Sequence, residues 1–122
     1  MKIRALVVDD DKVQLKLLLA SLKKLNFEGD TASNGEEAVN KIRNGQFDIC
    51  FMDIQMPLMD GVEATKIIRE KINKDIPIIA ITAMTDFDHN KSIASGMNGY
   101  LNKPITLEQL KEVIAKHCGQ GN

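Results

Sequence analysis

Five residues spread along this 122-residue chain could share one chemistry: Asp9, Asp10, Asp53, Thr82 and Lys103. They stand where apolar runs stop. Ile3 to Val8 runs into Asp9, Asp10 and Asp11; Ile49 to Met52 stops at Asp53; Ile76 to Ile81 stops at Thr82; and the short run Gly99 to Leu101 leads to Lys103 and Pro104. Carboxylates gathered from such ends repel, since two unit charges about 4 Å apart cost roughly 4 kcal/mol at an effective dielectric near 20. A proton, an ammonium or a divalent cation can neutralise them, and hard oxygen ligands beside an open face suit Mg²⁺, with Mn²⁺ able to substitute. Lys103 adds a compact positive charge and Thr82 a donor hydroxyl. Cation, ammonium and hydroxyl around one carboxylate are the equipment for a phosphoryl group, with Asp53 as the acceptor that forms an acyl phosphate.

For these residues to meet, the apolar runs must be neighbouring parallel strands whose carboxyl ends share one edge, where ligands sit in open α/β sheets. Strand-length runs alternate with stretches of helical period five times over, which argues βαβ units. Leu15, Leu18, Leu22 and Leu25 recur at helical spacing, with Lys12, Lys16, Lys23 and Lys24 left for solvent. Asn34 precedes Glu37 by three, as an N-cap with a reciprocating carboxylate requires, and that helix should end near Gly45. Asp60 with Glu63 and Thr106 with Gln109 repeat the arrangement. A fourth helix, about Asp86 to Ser95 and stopped by Gly96, has thin apolar content and is expected to be the most mobile.

Strands buried on both faces read as unbroken apolar runs, so the first, third and fourth are central. The second, near Phe27 to Ala32, and the brief fifth are edges. The expected architecture is a flavodoxin-like (βα)5 doubly wound parallel five-stranded sheet in the order 2-1-3-4-5, which sets the ends of strands one and three side by side at the topological switch point.

Length fits a single domain over residues 1–122. Hydrophobic residues at 43% provide a core, and 16 basic against 17 acidic residues leave no basic footprint for nucleic acid. No segment approaches a membrane span or a signal peptide, so a cytoplasmic location is the default expectation. Cys50 and Cys118 have no zinc-like spacing and read as free thiols. His89 and His117 lack partner ligands and are expected at the surface.

Asp9-Asp10, the segment Phe51-Met-Asp-Ile-Gln-Met-Pro-Leu-Met-Asp-Gly61, the Thr82-Ala83 pair and Gly99-Tyr-Leu-Asn-Lys-Pro104 resemble the receiver domain of two-component response regulators, most of all those attached to hybrid sensor histidine kinases. The resemblance covers nearly the whole chain. It implies that Asp53 is the phosphoacceptor, that Asp9, Asp10, Asp53 and the Gln55 backbone carbonyl hold Mg²⁺, and that Lys103 and Thr82 contact the phosphoryl oxygens. It also implies a cis Lys103-Pro104 bond, a switch coupling Thr82 to the rotamer of Tyr100 on the face of the fourth helix, fifth strand and fifth helix, and an influence of Gln55 on phosphoryl lifetime. The implied partner is a histidine kinase or histidine phosphotransfer protein, with neither nucleic acid nor membrane contacted directly. A phosphorylation-dependent dimer is a further arrangement open to such a module, which catalyses only its own modification.

Taken singly the same residues have plainer readings. Asp9-Asp10 can start a helix, Asp11 can cap it or sit in solvent, Asp60-Gly61 can be a turn, Met56, Pro57 and Met59 can be loop packing, and Tyr100 can be ordinary edge-strand packing. Two rival functions also stand: a haloacid dehalogenase-like phosphohydrolase, and a receiver-like interaction module that is never phosphorylated. The first wants an acid two residues beyond Asp53, where this chain has Gln55. The second leaves the full acidic and basic set without a purpose.

Overall fold

The computed structural model of the chain describes residues 3–56, 59–83 and 95–118. Strand and helix alternate as β1 (Arg4–Val8), α1 (Lys12–Lys24), β2 (Glu28–Ala32), α2 (Gly35–Asn44), β3 (Ile49–Asp53), α3 (Gly61–Lys71), β4 (Ile78–Thr82), β5 (Gly99–Asn102) and a C-terminal helix, Leu107–Cys118. The five strands form one sheet in the order β2-β1-β3-β4-β5, and every neighbouring pair is parallel. The helix expected over Asp86–Ser95 lies outside the described residues except for its last one, Ser95. Gly96 does adopt the left-handed conformation of a helix stop, at φ 110°.

Strand side chains alternate between two cores, as the period of two demands. Leu6, Val8, Cys50, Met52, Ile78 and Ala80 face α2 and α3, where Ala38, Ile42, Ala64 and Ile68 meet them. Ala5, Val7, Ile49, Phe51, Ile79 and Ile81 face α1 and the C-terminal helix, packing on Leu15, Leu18, Leu22, Leu110 and Ile114. Burial on both faces explains why β3 and β4 are apolar throughout while β2 and β5, at the edges, carry polar residues. Cys50 is buried and Cys118 half-buried, both as free thiols. His117 is partly exposed, on the helix face turned toward Gly99; His89 lies outside the described residues.

Caps set where the helices begin. Asn34 Oδ1 accepts the Glu37 N–H at 2.8 Å, and Asp60 Oδ1 accepts the Glu63 N–H at 2.8 Å. The box at Thr106 is reciprocal, with Gln109 N–H donating to Thr106 Oγ1 at 3.1 Å and Thr106 N–H to Gln109 Oε1 at 3.0 Å. The reciprocating role expected of Glu37 is displaced, since its carboxylate takes the Ser33 hydroxyl at 3.0 Å. Among the described residues no helix is long and apolar enough to cross a membrane.

Gly61 does more than begin α3. A β-carbon there would collide with the carbonyl of Asp53 and with the Cα of Ile54, so the helix start presses directly on the end of β3. Gly61→Ala should therefore destabilise the fold by about 2 kcal/mol or more, as overpacking against backbone does, whereas Thr106→Ala should lose only about 1 kcal/mol, the usual value of a cap. Urea unfolding of the two variants beside wild type measures the difference.

Candidate functional site

Three consecutive aspartates follow β1 and divide three roles. The Asp9 N–H donates to Ala32 O at 3.1 Å, which holds the residue at the sheet edge, and its side chain is fully buried. Its Oδ1 accepts the Asp11 N–H at 2.9 Å. Asp11 in turn caps α1, its Oδ1 accepting from Val13 N at 2.9 Å and Gln14 N at 3.4 Å. Asp10, between them, is exposed. Asp53 is the last residue of β3, in register with Ile81, and is only 4% exposed. Its Oδ1 accepts the Gln55 N–H at 3.0 Å, while the Gln55 side chain stands in solvent.

The remaining oxygens of the two buried acids meet one cation. Lys103 Nζ lies 2.8 Å from Asp9 Oδ2 and 3.5 Å from Asp53 Oδ2. The lysine reaches them because its backbone N–H donates to Thr82 O at 2.8 Å, which extends the β4–β5 pairing past Asn102. The Lys103–Pro104 peptide bond is cis. Thr82 is buried as the last residue of β4, one register step beyond Ile81 opposite Asp53. Tyr100 lies two strand positions below, in register with Ala80, and is 44% exposed.

Electrostatics follow from this packing. Burial pushes the Asp53 carboxyl up to about 6; the Gln55 N–H opposes the rise, the charge of Asp9 adds to it and Lys103 opposes it. For Lys103, desolvation favours the neutral amine, but the contact with Asp9 and the charges of both acids outweigh it and hold the ammonium above its ordinary value. One carboxylate oxygen from each of Asp9, Asp10 and Asp53 lies within 4.8 Å of the others. Asp9 Oδ2 is buried, and its close contact is the ion pair with Lys103 at 2.8 Å, whose geometry is short of a well-directed hydrogen bond. Three carboxylates and a single ammonium leave two negative charges, and every donor is a hard oxygen, so the residues fit Mg²⁺.

Several neighbours of the site were not evident from sequence. Val13 and Leu17 leave the buried stripe of α1 and are 64% and 57% exposed. Beside them a shallow cleft is lined by Gln14, Leu17, Leu18, Ser21, Pro104 and Ile105, so it adjoins Lys103 in the chain. Their spacing off the Leu15, Leu18, Leu22 stripe was the available signal. A broader, open groove between α2 and the amino ends of β1 and β2, lined by Arg4, Asp30, Lys41 and Phe47 among others, contains none of the clustered acids.

A buried carboxyl whose folded pKa exceeds its unfolded value destabilises the fold once ionised. For Asp53 that penalty is absent below about pH 3.8 and complete above about 6. In EDTA at pH 7, Asp53→Asn should therefore be more stable than wild type by up to about 3 kcal/mol, the free-energy equivalent of the shift. The gap should close as pH falls from 7 toward 4, as denaturant titrations at several pH values will show.

The sequence profile described as the response regulator receiver domain matches residues 5–115. Hybrid signal transduction histidine kinase A of Dictyostelium discoideum is 39% identical over 125 residues, a match covering 98% of this chain and 6% of that protein. The osmosensing histidine protein kinase SLN1 of Saccharomyces cerevisiae is 36% identical, covering 95% of this chain and 10% of that protein. The chain thus spans a small fraction of the length of these curated relatives. Among solved structures, the receiver domain of a sensor histidine kinase from Pseudomonas aeruginosa superposes with a TM-score of 0.89 at 30% identity, over 98% of this chain and 99% of that one; its structure has a magnesium ion coordinated in the active site cleft. The receiver domain of Ssk1 from Saccharomyces cerevisiae, solved with the histidine phosphotransfer protein Ypd1, gives a TM-score of 0.86 at 34% identity, over 99% of this chain and 92% of that one. With the parallel sheet, the three acids and the bridging lysine already in place, this chain belongs to the response regulator receiver domain family.

Proposed function

We propose that residues 1–122 form one receiver domain acting in a two-component phosphorelay, in which Asp53 accepts a phosphoryl group from a phosphohistidine on a histidine kinase or histidine phosphotransfer protein. The observation that carries this reading is the placement of Lys103 between Asp9 and Asp53, with Asp10 within 4.8 Å of both acids. An Asp53 oxygen attacks phosphorus, the P–N bond breaks, and the partner imidazole leaves with the bonding electron pair. The product is an acyl phosphate that water later cleaves, returning the carboxylate. Catalysis is thus confined to the protein's own modification and its reversal.

Asp9, Asp10, Asp53 and the Gln55 carbonyl would hold Mg²⁺, or Mn²⁺ in its place. Once bound, the cation supplies positive charge for the phosphoryl oxygens. Lys103 holds the Asp53 side chain and then follows the charge onto the phosphoryl group. The Thr82 hydroxyl donates to a phosphoryl oxygen from the end of β4. That demand on Thr82 shifts the population of Tyr100, exposed in this structure, toward an inward rotamer and alters the face around β5. Tyr100 and Leu107, at 44% and 39% exposure, give that face an apolar surface suited to a phosphorylation-dependent dimer. The setting is cytoplasmic, where kinase domains and their phosphohistidines reside. The phosphohydrolase alternative is disfavoured by Gln55, whose carboxamide is far too weak an acid to protonate a leaving group.

Incubation with acetyl phosphate and Mg²⁺, read by intact mass, should add one phosphate to wild type and none to Asp53→Asn or to wild type in EDTA. Lys103→Ala should be modified about a hundredfold more slowly, the usual loss of one preorganised donor. An adduct persisting on Asp53→Asn would place the acceptor elsewhere.

Transfer from a protein donor also requires docking, and the exposed Val13 and Leu17 beside Lys12 and Lys16 offer an apolar surface on α1, with Leu17 lining a cleft shared with Pro104, next to Lys103 in the chain. Leu17→Glu should slow transfer from a phosphorylated histidine phosphotransfer protein by about tenfold or more, as loss of an apolar anchor does. Its rate with acetyl phosphate should stay at the wild-type value, which a radiolabel transfer assay run beside the small-donor reaction will resolve.

A further inference from the structure

β5 is four residues long, lies at the sheet edge, and buries only Leu101, yet it carries the lysine on which the acidic site relies. A short edge strand with so little buried surface needs its register fixed by something else, because a slip of one residue would turn its side chains to the opposite face. At its carboxyl end the Lys103 N–H donates to Thr82 O. At its amino end the Asn98 N–H donates to Ile78 O at 2.8 Å, and Asn98 Oδ1 accepts the Ile78 N–H at 2.9 Å, a closed pair against the first residue of β4.

Arg69 of α3 holds that pair in place. Its Nη2 donates to Asn98 Oδ1 at 2.8 Å, its Nε to Gly96 O at 2.9 Å, and its Nη1 to Asn73 O at 3.2 Å. The turn after α3, at Asn73, and the remote segment before β5, at Gly96 and Asn98, therefore meet on one half-buried guanidinium whose hydrogen bonds, among the described residues, all go to neutral oxygens. Gly96 is required for the approach: its φ is 110°, and a β-carbon there would lie 2.6 Å from Arg69 Cγ. A cation desolvated against carbonyls rather than carboxylates contributes little as an ion pair. Its fork geometry, however, fixes three oxygens at once.

We propose that Arg69 is a positioning residue for phosphoryl transfer: through Asn98 and Gly96 it locks β5 in register on β4 and so sets the Lys103 ammonium between Asp9 and Asp53. The inference rests on the phosphoacceptor reading for its kinetic consequence but not for its structural one. Arg69→Met and Asn98→Ala, each made in wild type and in Lys103→Ala, separate the two. By amide hydrogen exchange, the Lys103 N–H should lose protection in Arg69→Met, while the Asp9 N–H, bonded to Ala32 O at the other end of the sheet, should keep it. Phosphorylation by acetyl phosphate should slow about ten- to a hundredfold in the wild-type background, the scale of a small misplacement of a catalytic group. No further slowing should appear in the Lys103→Ala background, because the two changes remove the same effect. Arg69→Lys, which keeps the charge but not the fork, should fall between. Unchanged exchange at Lys103, equal loss at Lys103 and Asp9, or rate penalties that multiply with Lys103→Ala would each overturn the proposal. If Asp53 takes no phosphate at all, the exchange measurement still decides whether the lock exists.

Discussion

Repulsion among the carboxylates at the sheet's carboxyl edge is the constraint on which the rest of this structure depends. Asp9 and Asp53 are nearly inaccessible to solvent, and Asp10 brings a third charge within 4.8 Å. Water cannot screen the buried pair, so the fold supplies fixed partners. Each buried carboxylate gives one oxygen to a backbone N–H two residues further on, at Asp11 and at Gln55, and the other to Lys103. Neutralisation remains incomplete. That residue of negative charge is what makes the edge a place for a cation and for a group that arrives with its own charge to be managed.

Strand order turns that electrostatic requirement into geometry. Acids on β1 and β3 are neighbours only because β2 and β4 lie outside them, and the lysine reaches inward from β5 across the end of β4. In a parallel sheet all these ends share a direction, so one edge collects them without any contribution from sequence proximity. The two apolar layers on either face offset the cost of the site. They bury β3 and β4 completely, and a strand held on both faces gives Asp53 a backbone that cannot drift away from the charges around it.

What could be read from sequence was what depends on local pattern. Unbroken runs such as Ile49–Met52 gave central strands, polar interruptions such as Glu28 and Asp30 marked an edge, and the Thr106–Gln109 box marked a helix start, because each signal resides within a few residues. Asp9, Asp53, Thr82 and Lys103 could be grouped because each ends a run. Less was legible where a residue's role depends on which of several partners the folded chain brings against it. Gly61 looked like a turn residue until its contact with the Asp53 carbonyl was seen, and Glu37 looked like half of a capping box until Ser33 took its carboxylate. Arg69 carried no motif, since its three acceptors lie on Asn73, Gly96 and Asn98. Val13 and Leu17 stand off the Leu15, Leu18, Leu22 stripe, a spacing that ordinary helix composition also produces, and their exposure gives it meaning.

These contacts also constrain how a modification at Asp53 can be communicated. Asp9 is fixed through β2 and the start of α1, and Gly61 wedges α3 against the backbone of Asp53, so the β1 and β3 side of the site has little room to yield. The other side hangs on β4 and β5, where Lys103 and Thr82 are joined by one backbone hydrogen bond and Tyr100 stands partly in solvent two positions below. With Asp53 as the proposed phosphoacceptor, the added charge would act between the closely packed β1–β3 wall and the β4–β5 wall, whose outer strand is short and lies at the sheet edge. Arg69 and Asn98 fix the far end of that wall. On that reading, movement of β5 upon phosphorylation is expected at the end nearest the acids, where the Lys103 N–H meets the Thr82 carbonyl.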